Sequence, residues 1–347
     1  MPQIQQDSCL VPIVAFTEDS PEPDYIKTLV QTESSWTGCF NTPATITYGF
    51  PESEAELNAL LLLLPDDVTG TFPLGSAHKA SIRTAMQLWE SAANINLIET
   101  TSDYLIPIYQ MTYNDSIPIS VAGYGSKPEV MGVTYSIYND SKIRWMASIG
   151  LKQALFQYPW YHPFYEELIP FVIAHELGHA LGLEHPFDAG NFTLSNPEQL
   201  TSDYSVMNYD SKKSYFSTWI TINPMPRDYA AMQFIYGPNQ TTNHGDTYYA
   251  LNDFTPKQSW WSWLNMIKPV TTLPWDINGT DTMSGTGLFS RHVIIDTNAF
   301  GASRVNNGMV QTQVDIENVI GGETSSKIIL NTLNNIVDIR TKTLSAT

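Results

Sequence analysis

Two hydrophobic periods run through this chain, and each predicts a different element. Leu168, Ile169, Pro170, Phe171, Val172, Ile173 and Ala174 form an apolar run that leads into histidines four residues apart. That pattern predicts a buried helix with polar groups gathered on one face. Pro170 suits the first turn, where its missing N–H costs nothing. Gly182 predicts the end, because glycine readily takes the left-handed conformation that closes helices. Upstream, Ala77, Ala80, Ala85, Leu88, Trp89 and Ala92 recur near helical spacing, so Ser76 reads as the cap of a helix running to about Ala93. Residues 94–99 then alternate as a strand does.

The later helix carries the chemistry. From His175 to Pro186 the chain reads His-Glu-Leu-Gly-His-Ala-Leu-Gly-Leu-Glu-His-Pro. Residues four apart lie one turn above each other, so His175 and His179 can grip one ion, and beyond Gly182 the chain can return His185 as a third ligand. Three protein ligands leave the fourth zinc position open to water, which separates a catalytic zinc from a structural one. Glu176, next to the first ligand, is placed to take a proton from that water and pass it to a departing amine. This spacing predicts hydrolysis of a peptide bond.

The same residues carry a resemblance. His-Glu-x-x-His-x-x-Gly-x-x-His is the signature of the metzincin metalloproteases, and Pro186 after the third histidine resembles the serralysin branch. Astacins carry Glu at that place and matrixins usually Ser. Ser205-Val206-Met207-Asn208-Tyr209 is similar to the serralysin Met-turn, and residues 226–237 resemble the helix that follows it. The resemblance implies that Met207 floors the zinc ligands. It implies that Tyr209 ligates the resting zinc and then swings to hydrogen-bond the developing oxyanion. Trp36 and Gly38, followed by residues 44–50, look like the opening of a serralysin catalytic domain. Residues Val121 to Gly125 lie where that family keeps the edge strand to which an extended substrate adds.

Serralysins end in a calcium-binding parallel β-roll of glycine- and aspartate-rich nonapeptides. Here only a remnant is legible. Residues 316–322 resemble the entry to a first repeat, but Thr324 stands for a glycine and Ser326 for an aspartate, and residues 330–338 keep Asn331 and Asn335 without the liganding aspartate. No calcium is expected in those repeats. The segments at 245–248 and 275–282 look like the ones that hold calcium between the two domains. There Asp276, Asp281, Asp315 and Glu317 would supply carboxylates, Asn243, Gly245, Asn278 and Gly279 main-chain oxygens, and Thr247 a further oxygen, for one or two calcium ions.

The resemblance thus implies an α+β metzincin catalytic domain, with a mixed twisted sheet and a long active-site helix, at 35–237. A β-rich domain resembling a truncated parallel β-roll follows at 238–347. Residues 1–34 read as an N-terminal arm, a propeptide plus a first helix. With 35 acidic and 17 basic residues and a net charge of −18, the chain is a poor partner for nucleic acid or anionic membranes. Its longest apolar run, Leu60 to Leu64, is too short to span a bilayer, and no Sec-type signal is legible at the N-terminus. The tail from Thr341 to Thr347 lacks the hydrophobic stretch that accompanies one-step export. The expectation is a secreted, monomeric zinc endopeptidase acting on extracellular or host proteins, with a proteinaceous inhibitor as a further partner and the export route open. The alternatives are a metzincin-fold binding protein without proteolysis and a narrow-specificity toxin protease.

Cys9 and Cys39 are the only cysteines and admit one intrachain disulfide. Two free thiols are the alternative. So is latency, with Cys9, three residues before Pro12, reaching the zinc until the arm is cut. His78, His162, His244 and His292 have no ligand spacing, and Trp260, Trp261 and Trp263 form an indole cluster suited to an interface or an exosite.

Overall fold

The computed structural model describes residues 16–17, 19–30, 35–64, 68–113, 132–137, 146–152, 164–187, 204–208, 218–221, 223–254, 267–288, 293–305, 308–322 and 326–339. Val121 to Gly125, Tyr209, the tryptophan cluster, Cys9 and the tail from Thr341 lie outside them.

The first half is built on one mixed sheet of six strands: β1 (Ala44–Gly49), β2 (Val68–Phe72), β3 (Ile95–Glu99), β4 (Ile106–Tyr113), β5 (Gly132–Ile137) and β6 (Met146–Lys152). Its order is β3-β1-β4-β6-β5, with β2 also pairing β4. β1 runs parallel to both neighbours, with Ala44 opposite Ile95 and Tyr48 opposite Ile106. β4 and β6 are parallel, whereas β2 and β5 are antiparallel to their partners. Parallel neighbours need crossovers. After α1 (Asp24–Leu29), which precedes the sheet, α2 (Glu54–Leu61) and α3 (Ser76–Ala92) lie on the path from β1 to β3. Ser53 and Glu56 start α2 with a reciprocal capping box.

α3 buries Ile82, Ala85, Met86, Trp89 and Ala92, a stripe at helical spacing. The expected stripe is corrected at its start, because Ala77 and Ala80 are exposed. Ile82 and Met86 bury far more apolar area than two alanines would, and they set the rotation of the helix. Ser76 is the first helical residue rather than the cap, and Gly75 precedes it without a side-chain cap.

The histidine-bearing helix, α4 (Phe164–Ala180), packs in the same core as α3. Pro170 lies inside it rather than at its start, since the helix begins six residues upstream and forgoes one backbone bond at the proline. α4 stops where expected, with Gly182 at φ +107°. Helix ends leave carbonyls without intrahelical donors, and here two aromatic side chains supply them. The Trp36 indole N–H donates to the Ala180 carbonyl at 2.8 Å, and the Tyr236 hydroxyl donates to that of Leu181 at 2.8 Å.

The second half is rich in strands. α5 (Pro226–Tyr236) belongs to the first core, and the short α6 (Leu251–Phe254) opens the second. One sheet has the order β16-β14-β10-β8, from β8 (Tyr248–Ala250), β10 (Thr282–Ser284), β14 (Asn318–Ile320) and β16 (Ile336–Asp338), and all its pairings are parallel. The other has the order β15-β11-β12-β13-β9-β7, from β7 (Thr218–Thr221), β9 (Ile267–Thr272), β11 (Val293–Asp296), β12 (Ala302–Val305), β13 (Gly308–Gln311) and β15 (Ser326–Ile329). Short parallel strands on two faces, with β10 leading to β11 and β14 to β15, are consistent with a β-roll. β7 precedes α5 in the chain yet pairs with β9, so the two halves share a sheet.

Trp36→Phe keeps the ring and removes the donor to Ala180, leaving a carbonyl at the end of α4 unpaired. The expected cost is about 1–3 kcal/mol of unfolding free energy, read from urea denaturation. A loss within a few tenths of a kcal/mol would show that this cap is dispensable.

Candidate metal centre

α4 presents His175 and His179 one turn apart, and the loop beyond Gly182 brings His185 back to them. The His185 Nε2 lies 3.1 Å from that of His175 and 3.0 Å from that of His179. Nitrogens held about 2.0–2.1 Å from a tetrahedral zinc are about 3.3 Å apart, so the three atoms sit close to the spacing that zinc imposes. Both helix histidines are oriented from behind. Nδ1–H of His175 donates to the Val206 carbonyl at 2.8 Å, and that of His179 to the Leu183 carbonyl at 2.9 Å. Such bonds fix the tautomer that leaves Nε2 free for a metal. Burial, and then the neighbouring His179, push the pKa of His175 down to about 3, which keeps the ring neutral as ligation requires. Among the described residues, this triad is the set of three or more His, Cys, Asp or Glu side chains whose ligand atoms converge. Glu176 is buried on the same helix, 4% exposed.

The Met-turn lies directly beneath. Met207 is fully buried, and a Cβ on Gly178 would fall 2.5 Å from its sulfur and 3.5 Å from Trp89 Cζ2. Glycine at that helical position is what lets the thioether and the indole reach the ligand helix. Tyr209 is outside the described residues, so its place relative to the triad is not described.

One residue without a sequence-derived role organises the turn. Asp228, fully buried in the first turn of α5, accepts the Ser205 hydroxyl, the Val206 N–H at 2.7 Å and the Met225 N–H at 2.7 Å. The Ser205 oxygen in turn accepts the Met207 N–H at 3.0 Å. Burial pushes the Asp228 carboxyl up to about 6 against the pull of these donors. The residue that Asp228 holds by its nitrogen, Val206, thus orients His175 by its oxygen. A proline followed two residues later by an aspartate is a visible signal for a helix start, but it does not reveal a partner twenty residues upstream.

The third ligand's loop is held from the N-terminal side. The Leu29 carbonyl accepts the Glu184 N–H at 2.8 Å, and Val30 bridges antiparallel to Leu183. Arg227 lies over the rings of both Tyr25 and Tyr204, joining α1 to the approach of the Met-turn. Cys39 is disulfide-bonded, and the chain has one other cysteine, Cys9.

The residues expected at calcium come together in part. Asp276 and Asp281 are buried, 3% and 4% exposed. Asp276 accepts the Tyr249 hydroxyl and the Asn278 N–H, and Asp281 accepts the Thr247 N–H at 2.9 Å. Glu317 accepts the Asp281 N–H at 2.8 Å, and Gly245 N–H donates to the Asn278 carbonyl. Gly279, at φ +142°, packs so closely that a Cβ would fall 2.4 Å from the Gly245 oxygen. The Asn243 amide donates to the Trp275 carbonyl at 2.9 Å. Asp315 instead accepts the Ala299 N–H at 2.8 Å, at a different turn. Burial, and then the carboxylates of Asp276, Glu317 and Asp246, push the Asp281 carboxyl up to about 6 although the Thr247 N–H pulls it down.

The three-histidine motif, the turn at Met207 and the mixed sheet are the features in which this chain is similar to metzincins. Residues 161–255 match the family model described as Met-zincin. Serralysin B of Dickeya chrysanthemi is 27% identical over 324 residues, covering 87% of this chain and 62% of that protein. Serralysin A of the same organism is 29% identical over 316 residues, covering 85% and 61%. Serralysin of Proteus mirabilis is 26% identical over 327 residues, covering 85% and 62%. The chain is thus similar to serralysins over most of its own length, and it spans about three fifths of theirs. Among the described residues, no helix is long and apolar enough to cross a membrane.

Asp228→Asn keeps the shape but cannot accept from all three donors. It is expected to cost about 2–3 kcal/mol in urea unfolding. It should also weaken zinc binding roughly 10- to 100-fold in a chelator competition, as loss of an outer-shell partner does. Unchanged zinc affinity would detach the Met-turn from the ligand geometry.

Proposed function

We propose that this chain is a zinc-dependent endopeptidase of the serralysin type, secreted and acting on extended segments of extracellular or host proteins. The observation that supports this most is the convergence of three Nε2 atoms within 4.8 Å of one another, two of them from a helix that also carries the buried Glu176. A zinc held by His175, His179 and His185 would polarise the scissile carbonyl and lower the pKa of a water at the open position. Glu176 takes the proton as general base and returns it to the leaving amine. Tyr209, two residues beyond the floor methionine, would hold the resting metal and then donate its phenolic hydrogen bond to the oxyanion. The serralysin relatives and the disulfide at Cys39 favour an oxidising, extracellular setting for this chemistry.

Glu176→Gln should lower kcat for a broad peptide substrate by roughly 100- to 10,000-fold, the range for a lost general base, while zinc content stays unchanged. A chelator should abolish cleavage by the wild-type protein and added zinc should restore it. Full activity of the variant, or of the chelated protein, would remove this reading.

The reading extends to structural calcium. Asp276, Asp281 and Glu317, with oxygens of Asn243, Gly245, Thr247, Asn278 and Gly279, would hold one or two ions, and Asp315 would take part only if it left its turn. A bound cation would offset the burial and the neighbouring carboxylates of Asp276 and Glu317 that raise the Asp281 carboxyl. Calcium at 100 times its Kd should stabilise the protein by about 2.7 kcal/mol, visible as a higher Tm that Asp281→Asn abolishes. No shift in Tm at millimolar calcium would exclude the site.

A further inference from the structure

The N-terminal segment touches α4 and the His185 loop through Leu29, Val30 and Trp36, and all three lie inside one covalently closed loop. The Leu29 carbonyl accepts the Glu184 N–H at 2.8 Å, one residue before the third ligand, and Val30 bridges to Leu183. The Leu183 carbonyl in turn accepts from His179 Nδ1 at 2.9 Å. Trp36 donates to the Ala180 carbonyl at the end of α4. Cys39 is disulfide-bonded and Cys9 is the one other cysteine, so the bridge closes residues 9–39 around these contacts.

The Cys39 end of the loop is firmly anchored. The Cys39 carbonyl accepts the hydroxyls of Ser35 at 3.2 Å and Thr37 at 2.8 Å, which ties the bridge to the turn that carries Trp36. Just beyond it, the Asn41 N–H donates to the Phe234 carbonyl at 3.1 Å and the Thr42 N–H to that of Ile235 at 3.3 Å. The buried Phe40 ring packs 4.7 Å from that of Phe234, and Phe16 stacks on Phe40 with planes 5° apart. A chain segment tied at both ends regains less freedom when it lifts away than one tied at a single end, so it returns more readily. With the bridge closed, residues 16–30 are tied at both ends. With the bridge open, they are tied only on the side of Trp36. Each time Leu29 and Val30 lift, the His185 loop loses its backbone partners, and with them the support of the carbonyl that orients His179.

We propose that the disulfide at Cys39 is a positioning element of the zinc centre: by closing residues 9–39 it keeps Leu29 and Val30 on the His185 loop, and opening it lowers zinc affinity without unfolding the protein. This rests on the zinc reading above. A water-soluble phosphine opens the bridge. The S–S bond breaks as both sulfurs are reduced, the phosphorus is oxidised, and one water supplies the phosphine-oxide oxygen and the two thiol protons.

The test compares three forms of the full chain: untreated wild type, phosphine-reduced wild type, and the double variant Cys9→Ser, Cys39→Ser. A non-reducing digest of the untreated protein should yield one peptide joined through Cys9 and Cys39, and free thiols at both would overturn the proposal. Zinc affinity is read by chelator competition, and amide exchange by nuclear magnetic resonance, with folding checked by circular dichroism. Both opened forms should stay folded and bind zinc about tenfold more weakly, as loss of an outer-shell support does. Their Glu184 amide should exchange roughly tenfold faster, while the Leu181 amide, bonded within α4 to Leu177, keeps its rate. Should the serine variant not fold, the reduced wild type carries the comparison, and unfolding of both forms overturns the proposal. Zinc affinity and Glu184 exchange unchanged by opening would mean that the bridge only fastens the N-terminal segment, and the assignment is wrong. Tighter zinc binding by the reduced wild type alone would put a thiolate on the metal and overturn it too. If the untreated wild type binds no zinc, the reading of the metal centre falls, and this assignment with it.

Discussion

The buried carboxylate of Asp228 is the constraint on which the metal centre depends. It gathers the N–H groups of Val206 and Met225 and the Ser205 hydroxyl, so the Met-turn and the start of α5 are bound to one point. From there the order passes outward through a single residue, since the Val206 oxygen orients the His175 ring. The His185 loop is held separately, through the backbone of Leu29, and its Leu183 carbonyl orients His179. Two independent supports therefore converge on three nitrogens, and the ligand geometry is set by protein groups before any ion arrives. Preorganisation of this kind is what keeps a site with an open coordination position from collapsing.

How much of this is legible in the sequence follows from the range of each interaction. The three histidines, Glu176 and Gly182 are visible because helical geometry ties them at fixed, short spacings. Met207 is visible through the resemblance alone, and the reason it can approach, the absent Cβ of Gly178, becomes clear only when both are placed. The Trp36 cap on Ala180 joins residues 144 apart, and the Tyr236 cap on Leu181 joins residues 55 apart, so neither has a periodic signal. Asp228 is hidden for a different reason. An acid shortly after a proline is an ordinary helix start, and its second task in the Met-turn leaves no trace in local composition. Pro170 shows the limit of local rules, because burial of the residues after it holds the helix together through a position that propensity would place at its end.

In the C-terminal half, side-chain amides tie successive turns together. In the region where the glycine and aspartate pattern fails, the Asn331 amide donates to the carbonyls of Thr297 at 2.9 Å and Ile316 at 2.8 Å, and the Asn335 amide donates to Asn331. Carbonyls that face one another across successive turns are joined there by amide hydrogens. Two backbones touch at Gly285, where a Cβ would fall 3.0 Å from the Gly322 nitrogen. Earlier in this half the carboxylates of Asp276 and Asp281 are both buried.

The central claim is that His175, His179 and His185 hold one catalytic zinc. Anomalous diffraction measured at the zinc edge from crystals of the zinc-loaded protein tests it most directly. The account predicts one strong peak about 2.0–2.1 Å from all three Nε2 atoms, with a coordination position facing solvent. No peak at the triad, or an ion closed off there by four fixed protein ligands, would contradict it.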